Sequence, residues 1–250
     1  MHRSARVARL VVIAMIAVLA GAPVGHAAEG ARVCEKFGST TVAGGRYLVQ
    51  NNEWGANDGQ CVTATAGGFT VDAGVHRRDD QPAAYPSIVS GCWMRTCTRG
   101  TPLPTRVDGL GPLTSSISAR IPPGVRTNLA YDLWMDPTPR RDGHNTGAEL
   151  MIWLDERGGI RPIGAPRATV PLAGGTWEVW TGENQGVPVI SYVRRGYLTR
   201  ADRLPLTDFV RDAVSRRVVR GDWFLTNVQA GFEIWAGGPG TALDSFSVEP

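Results

Sequence analysis

Glu149 and Glu233 are the residues of this chain whose types and settings suit chemistry. Glu149 lies in Gly-Ala-Glu-Leu-Met-Ile-Trp-Leu at 147–154. At the two-residue period of a β-strand, Ala148, Leu150, Ile152 and Leu154 share one face, and Glu149, Met151 and Trp153 share the other. Glu233 lies in Val-Gln-Ala-Gly-Phe-Glu-Ile-Trp at 228–235, which divides the same way. Val228, Ala230, Phe232 and Ile234 are its apolar row; Gln229, Gly231, Glu233 and Trp235 are the other. A solvated strand row is ordinarily Thr, Ser or Lys, so an acid among bulky Met and Trp predicts a cleft floor. A third acid joins them in Leu-Ala-Tyr-Asp-Leu-Trp-Met-Asp at 129–136, where Asp132, Trp134 and Asp136 share a face. Paired beside Glu149, Asp132 could hydrogen-bond it and set which carboxylate holds a proton.

Two carboxylates across a glycosidic bond can hydrolyse it. One protonates the leaving oxygen while the other attacks the anomeric carbon or activates water. Aromatic faces stack on pyranose rings, and polar side chains take the hydroxyls. The bland alternative is two solvated strand glutamates. Other chemistries have no foothold: Gly-x-Ser-x-Gly, a phosphate-binding loop, a dinucleotide glycine fingerprint and His-Glu-x-x-His are all absent.

The elements that must position these acids follow an export segment. Residues 1–9 carry Arg3, Arg6 and Arg9 and no acid, an apolar run spans 10–20, and small residues lead to Gly-His-Ala at 25–27. That layout predicts a signal peptide over 1–27 and a secreted, extracellular protein with no membrane attachment after cleavage. The chain as a whole has 26 basic and 23 acidic residues; without the three leader arginines the balance is 23 against 23. A neutral mature protein argues against nucleic-acid binding. The remainder, 28–250, is expected to be a single domain.

Between 33 and 248 the sequence is short β-like segments cut by turn residues, with 31 glycines and 17 prolines spaced rather than clustered. The segment 223–235 reads as one strand. One helix is predicted over Thr207–Arg217, with Thr207 as N-cap and Arg216 and Arg217 in its last turn. A dozen strands and one helix predict a sandwich of two antiparallel sheets with the helix outside. Trp134, Trp177, Trp180 and Trp223 are expected in the core, and Asp136, before Pro137, in a turn. The four cysteines, Cys34, Cys61, Cys92 and Cys97, allow three pairings. Cys92 and Cys97 are near enough to staple a tight loop, which leaves Cys34 with Cys61. Only His76 and His144 remain beyond the leader, neither at ligand spacing to a cysteine pair, so no metal and no cofactor are expected.

The local words carry a resemblance. Glu-Lys-Phe-Gly at 35–38, Asn-Asn-Glu-Trp-Gly at 51–55, Tyr-Pro-Ser-Ile at 85–88 and Tyr-Asp-Leu-Trp at 131–134 resemble glycoside hydrolase family 12. So do Glu-Leu-Met-Ile-Trp-Leu at 149–154, Pro-Ile-Gly at 162–164 and Gly-Phe-Glu-Ile-Trp at 231–235. The resemblance runs in order through the whole mature chain and is nearest to secreted bacterial members. It implies an all-β jelly roll of two curved antiparallel sheets, a long open cleft and one helix on the convex side. It implies a retaining endo-β-1,4-glucanase with Glu149 as nucleophile, Glu233 as acid/base and Asp132 hydrogen-bonded to the nucleophile. Asn52 and Trp54 match minus-side sugar contacts; Met151, Trp153 and Pro162 match cleft-lining positions, and Asn184 matches a cleft-edge position. The family's disulfides support Cys34–Cys61 and Cys92–Cys97. A β-glucan is the expected partner, and the protein is expected to be a monomer.

Three segments depart from the family pattern: Val-His-Arg-Arg-Asp-Asp at 75–80, Cys-Trp-Met-Arg-Thr-Cys at 92–97 and Gly-Tyr-Leu-Thr-Arg at 196–200. They bear on substrate preference, which leaves cellulosic, xyloglucan and mixed-linkage glucans open. A non-catalytic glucan-binding jelly roll would need the tryptophans but has no use for both glutamates. A jelly-roll xylanase also uses two glutamates, but the local words fit it less well.

Overall fold

The computed structural model describes residues 30–250, and the predicted export segment lies outside them. In chain order the strands are β1 (Arg32–Val33), β2 (Ser39–Val42), β3 (Tyr47–Gln50), β4 (Cys61–Thr65), β5 (Gly68–Ala73) and β6 (His76–Arg77). Next come β7 (Ser87–Trp93), β8 (Thr96–Cys97), β9 (Thr105–Arg106), β10 (Thr114–Arg120), β11 (Arg126–Asp136) and β12 (Ala148–Arg157). Then follow β13 (Ala165–Leu172), β14 (Gly175–Asn184), β15 (Val187–Arg194) and β16 (Arg200–Pro205). Helix α1 (Leu206–Ser215) precedes β17 (Phe224–Gly231), β18 (Ile234–Gly237) and β19 (Ala242–Glu249).

Two sheets result. The smaller runs β1-β4-β5-β19-β10-β16, and the larger runs β13-β14-β15-β12-β11-β17-β7-β3-β2. Among the described strands every pairing is antiparallel except β12 with β15, which is parallel. This is the predicted jelly roll, with one parallel seam beside the strand that carries Glu149.

Period-two patterning puts the core where the sequence placed it. Leu129, Tyr131, Leu133 and Met135 of β11 join Ala148, Leu150, Ile152 and Leu154 of β12 in one cluster between the layers. Val228 and Ala230 of β17 belong to it, as do Phe232 and Ile234 beyond. Removing such side chains from water stabilises the fold by about 1.5–3 kcal/mol each. The opposite row of the large sheet is left for the cleft.

The helix covers what the smaller sheet does not reach. Phe209 packs edge-on against Trp177 of β14 and Tyr192 of β15, with ring centroids 4.9 and 5.2 Å away. Both rings lie on the core side of the large sheet, so α1 sits on the side opposite the cleft. Its boundaries differ from the expectation. The N-cap position is Pro205 and makes no side-chain cap bond, while Arg216 is the C-cap. Thr207 Oγ1 instead accepts from the Leu113 amide at 2.8 Å and donates to the Gly111 carbonyl at 2.9 Å. The residue ties the helix to the loop before β10, a tertiary use that a capping rule cannot foresee.

Both disulfides pair as expected: Cys34 with Cys61 and Cys92 with Cys97. Of the tryptophans expected in the core, Trp177 is fully buried and Trp223 packs against the core. Trp134 and Trp180 do not join it. They face the cleft.

Candidate active site

Strand β11 is the axis of the site. Across one edge Asp132 stands opposite Met151 and Trp134 opposite Glu149; across the other, Asp132 stands opposite Gln229. Paired neighbours share a face, so β11, β12 and β17 together carry one polar row on the concave surface. Trp134 Nε1 donates to Asp132 Oδ2 at 2.7 Å, while Asp132 Oδ1 is buried with no hydrogen-bond partner. That bond explains why Trp134 is not a core residue: its ring is held over the acids.

Glu233 arrives differently. The expected continuous strand over 223–235 is broken: β17 ends at Gly231 and β18 begins at Ile234, which leaves Phe232 and Glu233 outside the ladder. Asn128 of β11 fills the gap. Its Oδ1 accepts from the Glu233 amide at 2.8 Å, and its Nδ2 donates to Glu233 Oε2. Thr127 Oγ1 donates to the Glu233 carbonyl at 2.9 Å. A carboxylate released from strand geometry is thereby fixed at backbone and side chain together.

Burial dominates the electrostatics. It raises Glu149 to about 7, against which the Asn184 side chain pulls downward. Burial and then the neighbouring Glu149 charge raise Glu233 to about 8, offset in part by Asn128. Asp132 is driven well above the usual carboxylate range by burial and by Glu149, with Trp134 opposing. Desolvation and mutual repulsion push all three acids up, which favours retained protons in the site.

The remaining candidates take the following places. Met151 and Trp153 follow Glu149 on the concave face, packed with Ala130 and Ile160. Trp180 of β14 stands opposite Ser191 of β15, which stands opposite Met151. Trp153 Nε1, Trp180 Nε1 and Ser191 Oγ have no hydrogen-bond partner in the protein; donors of this kind suit sugar hydroxyls. Asn184 ends β14, is exposed, and lies near enough to Glu149 to favour its charged form. Pro162 is buried in the β12–β13 connection.

Asn52 adopts a left-handed φ of 43°, which Asn tolerates better than other side chains. Trp54 follows with 43% of its surface exposed, a platform rather than a core ring. Backbone bonds lash this loop to the Glu233 end of the cleft. Tyr85 N donates to Asn52 O, Gly55 N to Ala83 O, and Ala83 N to Ile234 O, all at 2.8–2.9 Å. Cys92–Cys97 carries Trp93, whose ring lies 5.4 Å from Trp134 and meets His144 edge-on at 6.2 Å.

Residue-by-residue reading missed three participants, Asn128, Tyr85 and Gln50. Asn128 lies two places before Ala130 and four before Asp132, so the alternation that selected Asp132 also marks it. Tyr85 donates to the Ala130 carbonyl at 3.2 Å, and burial with the charges of Asp132, Glu233 and Glu149 pushes its hydroxyl well up. Gln50 donates to Gln229 Oε1 at 2.9 Å and to Ser87 Oγ at 2.8 Å, which locks the neighbouring floor. No local pattern joins residues 179 positions apart.

One group has metal-ligand chemistry. Atoms of Glu53, Asp58 and His76 lie within 4.8 Å of one another. They are already engaged: Glu53 accepts from the amides of Asp58 and Gln60, and the His76 nitrogens face Asp58 at 2.9 Å and Gln60 at 2.8 Å. The cluster braces the 53–60 loop.

A curved two-sheet jelly roll with a buried and a half-buried glutamate on an aromatic concave floor defines a carbohydrate-cleaving hydrolase. The chain belongs to glycosyl hydrolase family 12, whose family model matches residues 45–249. Among solved structures, a metagenome-derived family 12 endoglucanase is 42% identical with a TM-score of 0.85, covering 88% of this chain and 96% of its own. Endoglucanase Cel12A of Rhodothermus marinus is 40% identical with a TM-score of 0.83, covering 87% and 97%. Among curated relatives, the xyloglucan-specific endo-β-1,4-glucanase A of Emericella nidulans is 30% identical over 83% of this chain and 87% of its own. The probable cellulase Cel12b of Mycobacterium tuberculosis is 31% identical over 60% of this chain and 98% of its own.

Proposed function

We propose that this enzyme is a secreted endo-β-1,4-glucanase that cleaves internal bonds of soluble cellulosic glucans with retention of configuration. The observation that carries this reading is the placement of Glu149 and Glu233 on one aromatic concave face, Glu149 opposite Trp134 in the β11–β12 ladder and Glu233 fixed by Asn128. Burial raises both carboxyls, and a charged Glu149 helps Glu233 keep its proton. Glu149 attacks the anomeric carbon and forms a glycosyl ester as Glu233 gives its proton to the leaving oxygen. Water, deprotonated by Glu233, then attacks the anomeric carbon and displaces the Glu149 carboxylate, a second inversion that restores the original configuration. Asp132, held by Trp134 with its other oxygen unpartnered, serves as the proton-bearing neighbour of Glu149. Asn52, Trp54, Met151, Trp153, Pro162 and Asn184 would contact the glucan. Residues 1–27 would be removed on export, leaving a monomeric catalytic domain.

The solved relatives at 40–45% identity are described as endoglucanases or cellulases, whereas a Bacillus licheniformis xyloglucanase stands at 25%. That difference favours the cellulosic reading. The curated xyloglucan-specific relative at 30% keeps xyloglucan as the second. The test is reducing-end release and anomeric NMR on a panel of cellulosic, mixed-linkage, xyloglucan and xylan substrates. β-Anomer product first, with carboxymethylcellulose cleaved fastest, is expected. An α-anomer first would overturn the double displacement, and faster xyloglucan cleavage would replace the substrate reading. Glu149→Gln and Glu233→Gln should each cost at least about 10²–10⁴-fold in rate while glucan binding survives.

A further inference from the structure

We propose that a cavity lined by the loop that follows Trp54 binds a carboxylate-bearing unit of the glucan, a uronate or an acidic substituent, with Arg77 as its charged contact. The proposal rests on the glucanase reading in one respect, that the bound chain passes over Trp54. The cavity measures about 380 Å³ and is lined in part by Gly55, Asn57, Asp58, Arg77 and Arg78. That volume lies within the range of small-ligand sites.

The site is built rather than incidental. Its floor is the 53–60 loop, whose amides bind Glu53 and whose Asp58 and Gln60 clasp His76. Gly55 lets the loop pass against Pro82, since a Cβ there would meet the Pro82 carbonyl oxygen at 2.2 Å. The wall is β6, where Arg77 pairs with Ala236 in the ladder, so its backbone is fixed. The charged stretch at 75–80, which departs from the family pattern, supplies this wall.

Two cations line the cavity, Arg77 and Arg78, and they differ in their pairing. Arg78 is paired with Asp80 at 3.1 Å, and Arg126 with Asp79 at 2.6 Å. Arg126 also lies over the Trp235 ring at 5.8 Å. Asp58, the lining carboxylate, is held back against His76 Nδ1 at 2.9 Å, an ion pair when His76 is protonated. Arg77 is exposed and forms no ion pair among the described residues. A guanidinium left free on the wall of a braced polar cavity suits bidentate capture of a carboxylate. A neutral sugar would not require it.

The experiment compares carboxymethylcellulose with hydroxyethylcellulose of matched chain length and substitution. Binding to Glu233→Gln protein is followed by calorimetry, and Glu149→Gln protein serves as a second non-cleaving background. The expected result is tighter binding of the carboxymethyl polymer, with the difference lost at high salt. Arg77→Ala should weaken that polymer about three- to tenfold and leave hydroxyethylcellulose binding in place, while Arg77→Lys keeps most of the preference. Equal affinity of the parent for both polymers, or an Arg77→Ala loss shared by both, would overturn the proposal. If Arg77-dependent, salt-sensitive binding persists but the wild-type enzyme cleaves neither polymer, the glucanase reading falls and the site stands.

Discussion

Glu149 and Glu233 each have one amide that eases their ionisation, Asn184 for the first and Asn128 for the second. The pH–rate profile should therefore be bell-shaped, rising as the pair loses its first proton near 7 and falling as it loses its second near 8. Asn128→Ala removes the donor that favours the charged form of Glu233, so the alkaline limb should move to higher pH. A downward move would contradict the geometry. The same shift has a stability consequence. Glu233 is raised from an ordinary 4.5 to about 8, so between those values the native state binds the proton that the unfolded chain has released. Stability is then lost as pH rises through that window, and below it the penalty is absent. Glu233→Gln should accordingly raise the melting temperature more at pH 8 than at pH 4. Equal gains at both would refute the linkage. The acids were legible in the sequence because alternation marks a face. Of their amide partners, Asn184 was named only through the family resemblance, and Asn128 was missed because it reaches Glu233 only after the chain has left the ladder.

Helix α1 shows what an element's pattern does and does not disclose. Apolar spacing through Phe209, Val210 and Ala213 reveals a helix and its buried side. It does not reveal that Thr207 is spent on Gly111 and Leu113. Thr207→Val should cost about 1–3 kcal/mol in urea unfolding, since a buried amide loses its acceptor. Phe209→Ala should cost about 3–5 kcal/mol through the cavity left beside Trp177 and Tyr192. Wild-type stability in either variant would show that the helix is not anchored as described. Alternation over 223–235 likewise predicted both faces correctly but not the break at Phe232 and Glu233. Side-chain direction survives such a break, whereas ladder pairing depends on strands distant in the chain.

Across the whole molecule, local words and alternation made the two-layer architecture legible. The order in which strands neighbour one another was not, and neither was the parallel seam of β12 with β15. Long-range closure also appears in the Cys34–Cys61 bond, which spans 27 residues and joins the residue after edge strand β1 to the start of β4. By loop-closure entropy its removal should cost about 3–4 kcal/mol, measurable by denaturant unfolding of the paired Cys34→Ala, Cys61→Ala variant. A loss near zero would mean that the packing of β1 on β4 suffices alone. The large sheet is the other feature with reach, because both of its surfaces are in use. Successive residues of β12 answer to different demands: 148, 150 and 152 to the dry interior, and 149, 151 and 153 to the cleft. Saturation mutagenesis with separate readouts for abundance and for glucan cleavage would then resolve into two interleaved codes. One parity would report on whether the protein exists, the other on whether it works, and evolution can retune the second without renegotiating the first.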